Sequence, residues 1–347
     1  MNASANAAVE TLPASAYRDP ALWPHERSRI FARSWQYVGH ESALTEPGAW
    51  VADSIAGYPL LAVRGQDGVL RGFHNVCRHR AGPLTQGPSG QCDGLLTCQY
   101  HGWTYTLDGR LRAARDFGPS PGFDPREFGL FPVRLETWRG LVFAAVDAGI
   151  APLAETLAPI EARLKGADWS RLKIAATRQH HLACNWKTYV ENYLEGYHVP
   201  LIHPSLDAEI DSSRYVVRME DRIAIHEAPQ RKPDAVYEGL WAWAWPNSAF
   251  NVYGSGLMFE RMSPLGPDRT RLDYIYLMPE GETVAEETMA MSDAVLAEDL
   301  WVVERVQENL NAGIYQTGRL SSRHEGGVAA FQAFYREAMA VTAAAAG

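Results

Sequence analysis

Cysteine and long hydrophobic runs are both scarce in this 347-residue sequence. The four cysteines are too few, and too unevenly spaced, for a disulfide scaffold. No run of eighteen apolar residues occurs, so we predict no transmembrane helix. The first ten residues lack the basic and then apolar pattern of a secretion signal, so we expect a cytoplasmic protein. In such a reducing compartment, cysteines near histidines are best explained as metal ligands.

Positive charge is also in short supply. The sequence has 32 Lys and Arg against 41 Asp and Glu, a net charge of −9, and no basic stripe. This balance argues against nucleic acid or an anionic membrane as a partner. No Gly-x-Gly-x2-Gly motif opens a helix, so no dinucleotide-binding domain is predicted. The 46% hydrophobic content and the length allow two domains with buried cores. We therefore expect a small-molecule substrate or a protein partner.

The hydrophobic pattern changes along the chain. Over residues 42–147, short β-rich runs alternate with Gly, Pro and Asp turns, which is typical of a small all-β domain. Further on, strand-like runs mix with a long helix over about 284–311 and a shorter one over 327–340. The predicted fold class is α+β. We predict an arm that packs on the C-terminal domain (1–40), a β-rich domain (41–150) and an α+β domain (151–347).

Two pairs of cysteine and histidine stand in the β-rich segment. Cys77 and His79 form the first pair, and Cys98 and His101 follow after the intervening residues 80–97. Two thiolates and two imidazoles suit either a Cys2His2 zinc site or a Rieske [2Fe–2S] cluster. Because each loop contributes one Cys and one His, the pattern favours a cluster held between two loops, where nearby glycines let the backbone approach. Cys92 has no partner histidine and is interpreted as a loop residue.

A second histidine pair, His198 and His203, lies in the C-terminal half. The residues from Asn185 to His198 predict a helix, which places Glu195 and His198 on one face. Pro200 distorts or ends that helix, so His203 follows on a bent segment. Two neutral imidazoles held in this way suit iron or zinc. For the pair alone, ordinary hydrogen bonding in the core is an equal alternative.

The motifs together resemble a known family. Residues 77–84, Cys-Arg-His-Arg-Ala-Gly-Pro-Leu, and 98–105, Cys-Gln-Tyr-His-Gly-Trp-Thr-Tyr, resemble the Rieske domain of ring-hydroxylating oxygenases. With the Asn-Trp-Lys, Glu-Asn-Tyr and Glu-x2-His-x4-His motifs downstream, the chain resembles the large (alpha) subunit of a Rieske non-haem iron oxygenase over roughly residues 35–307. The resemblance implies an all-β Rieske domain, followed by an α+β catalytic domain with an antiparallel sheet of the helix-grip type. It also implies a [2Fe–2S] cluster on Cys77, His79, Cys98 and His101.

The resemblance further implies a mononuclear Fe(II) site. His198 and His203 would be two ligands, and a carboxylate on the long helix the third, which leaves coordination positions free for dioxygen. We expect this carboxylate to be Asp299, because the family has an Asp shortly before a Glu and a Gln. Glu298 remains the alternative, although on a helix it points about 100° away.

Glu195 takes the place of a carboxylate that links the two metal centres in the family. There it would hydrogen-bond His198 in its own subunit and His101 in a neighbouring subunit. Many relatives have Asp at this position, whereas members that oxidise quaternary-ammonium compounds have Glu. Asn192 and Asn185 are further candidates for hydrogen bonds near the iron.

Aromatic residues supply candidates for the substrate pocket. Trp241, Trp243 and Trp245 alternate on a predicted strand, so they are expected on one face, and Asn251 and Tyr253 follow. They form either an aromatic wall that a cation can contact or ordinary core and subunit contacts.

The resemblance predicts a terminal oxygenase. It would use O2 and electrons from NAD(P)H, delivered by a separate ferredoxin or flavin/iron–sulfur reductase, to hydroxylate, dihydroxylate or demethylate a small organic substrate, aromatic by preference. The alternatives are a quaternary-ammonium monooxygenase, a Rieske electron-transfer protein with a non-catalytic second site, and a zinc hydrolase. Electron transfer between subunits implies an oligomer, and the family implies a head-to-tail homotrimer. The substrate and the need for a small second subunit stay open.

Overall fold

The computed structural model describes residues 9–164, 172–253 and 256–340, so the ends of the predicted arm and catalytic domain lie outside the described residues. The chain forms two compact units. One comprises Phe31–Glu155, and the other joins Met1–Ile30 to Thr156–Gly347. The domain boundaries at residues 40 and 150 stay predictions.

Short helices and two long ones are distributed along the chain. They are α1 (Ser15–Arg18), α2 (Trp23–Arg29), α3 (Leu153–Thr156), α4 (Ala158–Arg163), α5 (Trp186–Tyr193), α6 (Val199–Ile202), α7 (Pro204–Glu209), α8 (Glu286–Asn311) and α9 (Gly326–Ala340). The predicted long helix and the last helix correspond to α8 and α9. Within the described chain, none of these helices is both long and apolar enough to cross a membrane.

The smaller unit is built from antiparallel strands. They are β1 (Gln36–His40), β2 (Ala49–Ile55), β3 (Tyr58–Arg64), β4 (Leu70–His74), β5 (Ser89–Gln91), β6 (Leu95–Thr97), β7 (Thr104–Thr106), β8 (Leu111–Ala113), β9 (Pro132–Trp138) and β10 (Leu141–Ala145). Seven strands pair in the order β1-β10-β9-β4-β3-β2-β5, and β6, β7 and β8 form a small separate sheet. This all-β architecture was predicted from the turn pattern and is confirmed.

Two loops of this unit have the same backbone hydrogen bonding. After β4, the N–H of Cys77 donates to the carbonyl of Gly82, and between β6 and β7 the N–H of Cys98 donates to the carbonyl of Trp103. Gly102 has a φ of 71°, a left-handed conformation that favours glycine. The sequence therefore folds both cysteine-containing segments into equivalent tight loops.

The larger unit contains a second antiparallel sheet. Its strands are β11 (Leu172–Leu182), β12 (Val216–Glu220), β13 (Ile223–Glu227), β14 (Tyr237–Ala244), β15 (Ser248–Tyr253), β16 (Gly256–Gly266) and β17 (Arg269–Pro279), in the order β11-β17-β16-β15-β14-β13-β12. Helix α5 packs against β16, α8 and α9. The α+β fold with an antiparallel catalytic sheet is thereby confirmed.

Helix α5 is shorter than the sequence predicts. It begins where the side chain of Asn185 accepts a hydrogen bond from the N–H of Lys187 at 3.0 Å, and it ends at Tyr193. The expected helix through His198 is wrong, because the carboxylate of Glu195 accepts hydrogen bonds from the backbone N–H groups of Tyr197 and His198. Those N–H groups are then not available to continue the helix.

A buried ion pair joins α5 to helix α2 near the N-terminus. Lys187 is fully buried, and its Nζ donates to Glu26 Oε1 at 2.5 Å. The same carboxylate accepts hydrogen bonds from Trp186 Nε1 at 3.0 Å and from the Tyr335 hydroxyl of α9 at 2.8 Å. Glu26 therefore satisfies three buried donors on two helices of the larger unit.

Glu26→Ala removes the carboxylate that accepts from all three donors. Loss of one partner of a buried ion pair costs about 3–5 kcal/mol, so the free energy of unfolding should fall by about that amount in urea denaturation followed by tryptophan fluorescence. Glu308→Ala is the control, because Glu308 pairs with Arg305 on the exposed surface; its effect should stay below about 1 kcal/mol. Equal effects of the two substitutions would contradict the structural role of Glu26.

Candidate metal centres and substrate cavity

The smaller unit brings together the four residues that the sequence pairs predict. Cys77 and Cys98 are buried, and burial together with a hydrogen bond to Cys77 raises the pKa of the Cys98 thiol. The rings of His79 and His101 lie 4.6 Å apart between centroids. Cys92 lies outside this group, where its thiol donates to a backbone carbonyl at 3.3 Å. Two thiols and two imidazoles thus converge between the two loops.

Two observations show that these residues fit a [2Fe–2S] cluster. The Nδ1 atom of His79 is buried and has no hydrogen-bond partner, which is costly unless another ligand satisfies it. A Cβ at Gly82 would lie 2.9 Å from Cys98 Sγ, so glycine keeps the space beside this sulfur clear. The donor set of two cysteines and two histidines is that of a Rieske cluster.

The larger unit brings together His198, His203 and Asp299. The Nε2 atoms of the two histidines are 3.1 Å apart, and Asp299 Oδ1 lies 3.0 Å from His203 Nε2 and 3.8 Å from His198 Nε2. The three potential ligand atoms all lie within 4.8 Å of one another. Neighbouring donors with metal bonds of roughly 2.1 Å at right angles are roughly 3.0 Å apart. The arrangement therefore fits a single metal ion bound by two histidines and one carboxylate.

Two further carboxylates orient these imidazoles. His198 Nδ1 donates to Glu195 Oε1 at 2.5 Å, and His203 Nδ1 donates to Glu298 Oε2 at 2.8 Å. An imidazole protonated on Nδ1 presents its Nε2 lone pair, which is the form that binds a metal. Glu298, the alternative ligand in the sequence, lies on the Nδ1 side of His203, away from the other ligand atoms.

Asn192 positions the third candidate ligand. Its Nδ2 donates to Asp299 Oδ1 at 2.7 Å, so the last turn of α5 is joined directly to α8. Asn185, by contrast, caps the start of α5. Burial tends to lower the pKa of His203, but Asp299 and Glu298 outweigh this effect and raise it overall. The same negative surroundings favour a bound metal cation.

A cavity opens beside the three candidate ligands. Six aromatic side chains line it: Tyr189, Tyr193, Tyr215, Tyr237, Trp241 and Tyr274. Glu195, Glu260 and Asp299 contribute carboxyl groups, whereas no Lys or Arg of the described chain lines this cavity. The cavity is therefore both aromatic and acidic.

Glu260 is a cavity residue that the sequence analysis missed. It lies on β16 and is almost fully buried, and Asn251 Nδ2 donates to its Oε2 at 3.3 Å. Burial raises the pKa of this carboxyl to about 8. The available signal was the presence of Glu260 and Arg261 within an otherwise apolar strand segment, Leu-Met-Phe-Glu-Arg-Met, because Glu is seldom fully buried without a function or a partner.

The three tryptophans do not form one wall of the cavity. Trp241 lines the cavity, but Trp243 and Trp245 do not. Trp243 packs against Phe331 of α9 at 5.8 Å between ring centroids and against Trp245 at 6.2 Å. Trp245 lies beyond the end of β14, so the alternation of the strand no longer positions it. Of the other two candidates, Asn251 lines the cavity and Tyr253 does not.

Comparison with known proteins decides whether the cysteine–histidine site holds a [2Fe–2S] cluster or a zinc ion. The family model for the Rieske [2Fe-2S] domain matches residues 34–124, and that for the ring hydroxylating alpha subunit (catalytic domain) matches residues 169–341. The carnitine monooxygenase oxygenase subunit of Escherichia coli (strain K12) is 33% identical over 334 residues, which cover 91% of this chain and 88% of that protein. The chain belongs to the Rieske non-haem iron oxygenases. The zinc interpretations of both sites are thereby excluded.

Two other relatives extend the match over nearly the whole chain. The chloroplastic choline monooxygenase of Spinacia oleracea is 30% identical over 356 residues, covering 95% of this chain and 79% of that protein. The solved structure of a quaternary ammonium Rieske monooxygenase is 28% identical, with a TM-score of 0.85 and coverage of 96% of each chain. That structure gives insights into carnitine oxidation and inter-subunit electron transfer. This chain therefore has the same two domains, in the same order, as these monooxygenases.

Glu298→Ala removes the acceptor that holds His203 Nδ1. Loss of such an outer carboxylate typically lowers metal affinity by about 10–100-fold, which iron titration against a competing chelator would measure. The visible absorbance of the [2Fe–2S] cluster should not change. Glu287→Ala, an exposed position in the first turn of α8, is the matched control. Unchanged iron affinity in the Glu298 variant would refute its orienting role.

Proposed function

We propose that this protein is the oxygenase component of a monooxygenase that oxidises a small quaternary-ammonium compound. The acidic and aromatic cavity beside His198, His203 and Asp299 carries this proposal. Aromatic faces attract a cation, and buried carboxylates offset its charge. An aromatic hydrocarbon, the substrate class first expected from the sequence, would contact the rings but carries no charge that could pair with a carboxylate of the cavity. The similarity to carnitine and choline monooxygenases also supports an ammonium substrate.

Each candidate ligand has a defined part in this function. His198, His203 and Asp299 would hold Fe(II), and Cys77, His79, Cys98 and His101 would hold the [2Fe–2S] cluster. When bound, the cluster supplies electrons and the iron activates dioxygen for insertion into the substrate. Glu195 and Glu298 keep the Nδ1 protons of the two histidines in place, and Asn192 holds the Asp299 carboxylate. These contacts fix the ligand atoms before substrate enters.

Glu195 also has a proposed role in electron transfer between two subunits. We place Glu195 opposite His101 of a neighbouring subunit in a homotrimer. A ferredoxin or a flavin/iron–sulfur reductase would supply the electrons. Exposure of His101 and Tyr100 supports this arrangement, because both side chains are accessible to another subunit. The hydrogen bond from His198 Nδ1 to Glu195 gives the carboxylate a direct connection to a candidate iron ligand.

The Glu195→Gln variant separates the role of Glu195 in electron transfer between subunits from its role in orienting His198. The amide oxygen still accepts from His198 Nδ1, so the iron and cluster contents should stay unchanged. Loss of the charge and of the link should lower substrate oxidation with a reductase by about 10–100-fold. The control is Glu298→Gln, which makes the same change at the other histidine and should retain most of the rate. If both variants have the same rate, Glu195 has no special part in the transfer.

A substrate panel tests the proposed chemistry. The protein, reconstituted with both metal centres, would be incubated with a ferredoxin-type reductase, NADH and oxygen. One set of compounds holds choline, glycine betaine and L-carnitine, and the other holds benzoate and naphthalene. We expect oxidised or demethylated products, detected by mass spectrometry, from the ammonium set alone. Products from the aromatic set alone would overturn the proposal in favour of an aromatic-ring oxygenase.

A further inference from the structure

We infer that the carboxylate of Glu260 is the counter-ion of the substrate's ammonium group, and so selects a cation over a neutral molecule of the same shape. This inference rests on the proposed function. It concerns a residue on the sheet, outside the candidate ligand set and outside the segments in which the sequence motifs occur.

The two oxygens of Glu260 have different surroundings. Oε2 accepts from Asn251 Nδ2, and Asn251 is itself fixed because its Oδ1 accepts from the Tyr193 hydroxyl at 3.0 Å. Oε1 is buried and has no hydrogen-bond partner. A buried carboxylate oxygen without a partner is costly, yet this one belongs to a side chain that lines the cavity.

A quaternary ammonium group is the partner that this oxygen suits. Such a group has no N–H to donate, so it pairs with a carboxylate through charge alone. Tyr189 and Tyr274 line the same cavity, and aromatic rings attract a cation. Burial favours the protonated carboxyl of Glu260, whereas a positive charge nearby favours the ionised form.

The other two carboxylates of the cavity are already engaged. Glu195 accepts from His198 Nδ1 with one oxygen, and from backbone N–H groups with the other. Asp299 accepts from Asn192 and belongs to the candidate ligand set. Among the cavity carboxyls, Glu260 is therefore the one that lies outside the candidate ligand set and has a buried oxygen without a hydrogen-bond partner.

The test compares a cation with its neutral carbon isostere. Choline and 3,3-dimethylbutan-1-ol have the same shape and differ in charge, and calorimetry would measure the dissociation constants of both with the metal-loaded protein. Wild type should prefer choline. Glu260→Gln should weaken choline binding by about 10–100-fold and leave the isostere within about twofold. Glu209→Gln is the control, because Glu209 is also buried but does not line the cavity.

The outcomes separate this inference from the function on which it rests. Loss of the preference for choline in the Glu260 variant alone would support the inference. If wild type prefers choline and the Glu260 variant keeps that preference, Glu260 is not the counter-ion, although an ammonium substrate remains supported. If wild type binds the isostere as well as choline, or binds neither, both the inference and the ammonium function are overturned.

Discussion

The structure depends most on two hydrogen bonds between a carboxylate and an imidazole. Glu195 holds Nδ1 of His198, and Glu298 holds Nδ1 of His203, so that both Nε2 atoms face Asp299. Without these acceptors, each ring could rotate or exchange its tautomer, and the ligand atoms would no longer meet. The early end of α5 follows from the same requirement, because Glu195 must leave the helix to reach both the ring and the backbone of His198.

Packing of the long helices keeps these carboxylates in place. Asp299 lies on the buried face of α8, together with Leu296 and Val303, at the spacing of one helical stripe. At one end of α5, the Asn185 N–H donates to Gln307 at 2.8 Å, and at the other end Asn192 joins the Asp299 carboxylate. Helices α5 and α8 are thus linked at two points, and the candidate iron ligands lie beside the second.

Much of this site was predictable, because its ligands occur in local motifs. Two cysteine–histidine pairs on loops, and a histidine pair followed by an acidic helix, predicted both metal centres once their resemblance to a known family was taken into account. The end of α5 at Tyr193 was not predictable from periodicity, because a side chain competes for the backbone N–H groups. Glu260 was missed because its place in the cavity depends on the packing of β16 against α5, which brings distant segments together. Trp245 was misplaced because the strand ends before it.

The most direct test of this account is the position of iron in crystals of the metal-loaded protein, located by anomalous scattering at the iron absorption edge. We expect one peak within bonding distance of Nε2 of His198, Nε2 of His203 and a carboxylate oxygen of Asp299. A second peak should lie between the two cysteine–histidine loops. Iron bound through Nδ1 of either histidine, or to Glu298 in place of Asp299, would contradict the central claim that two outer carboxylates set the ligand geometry.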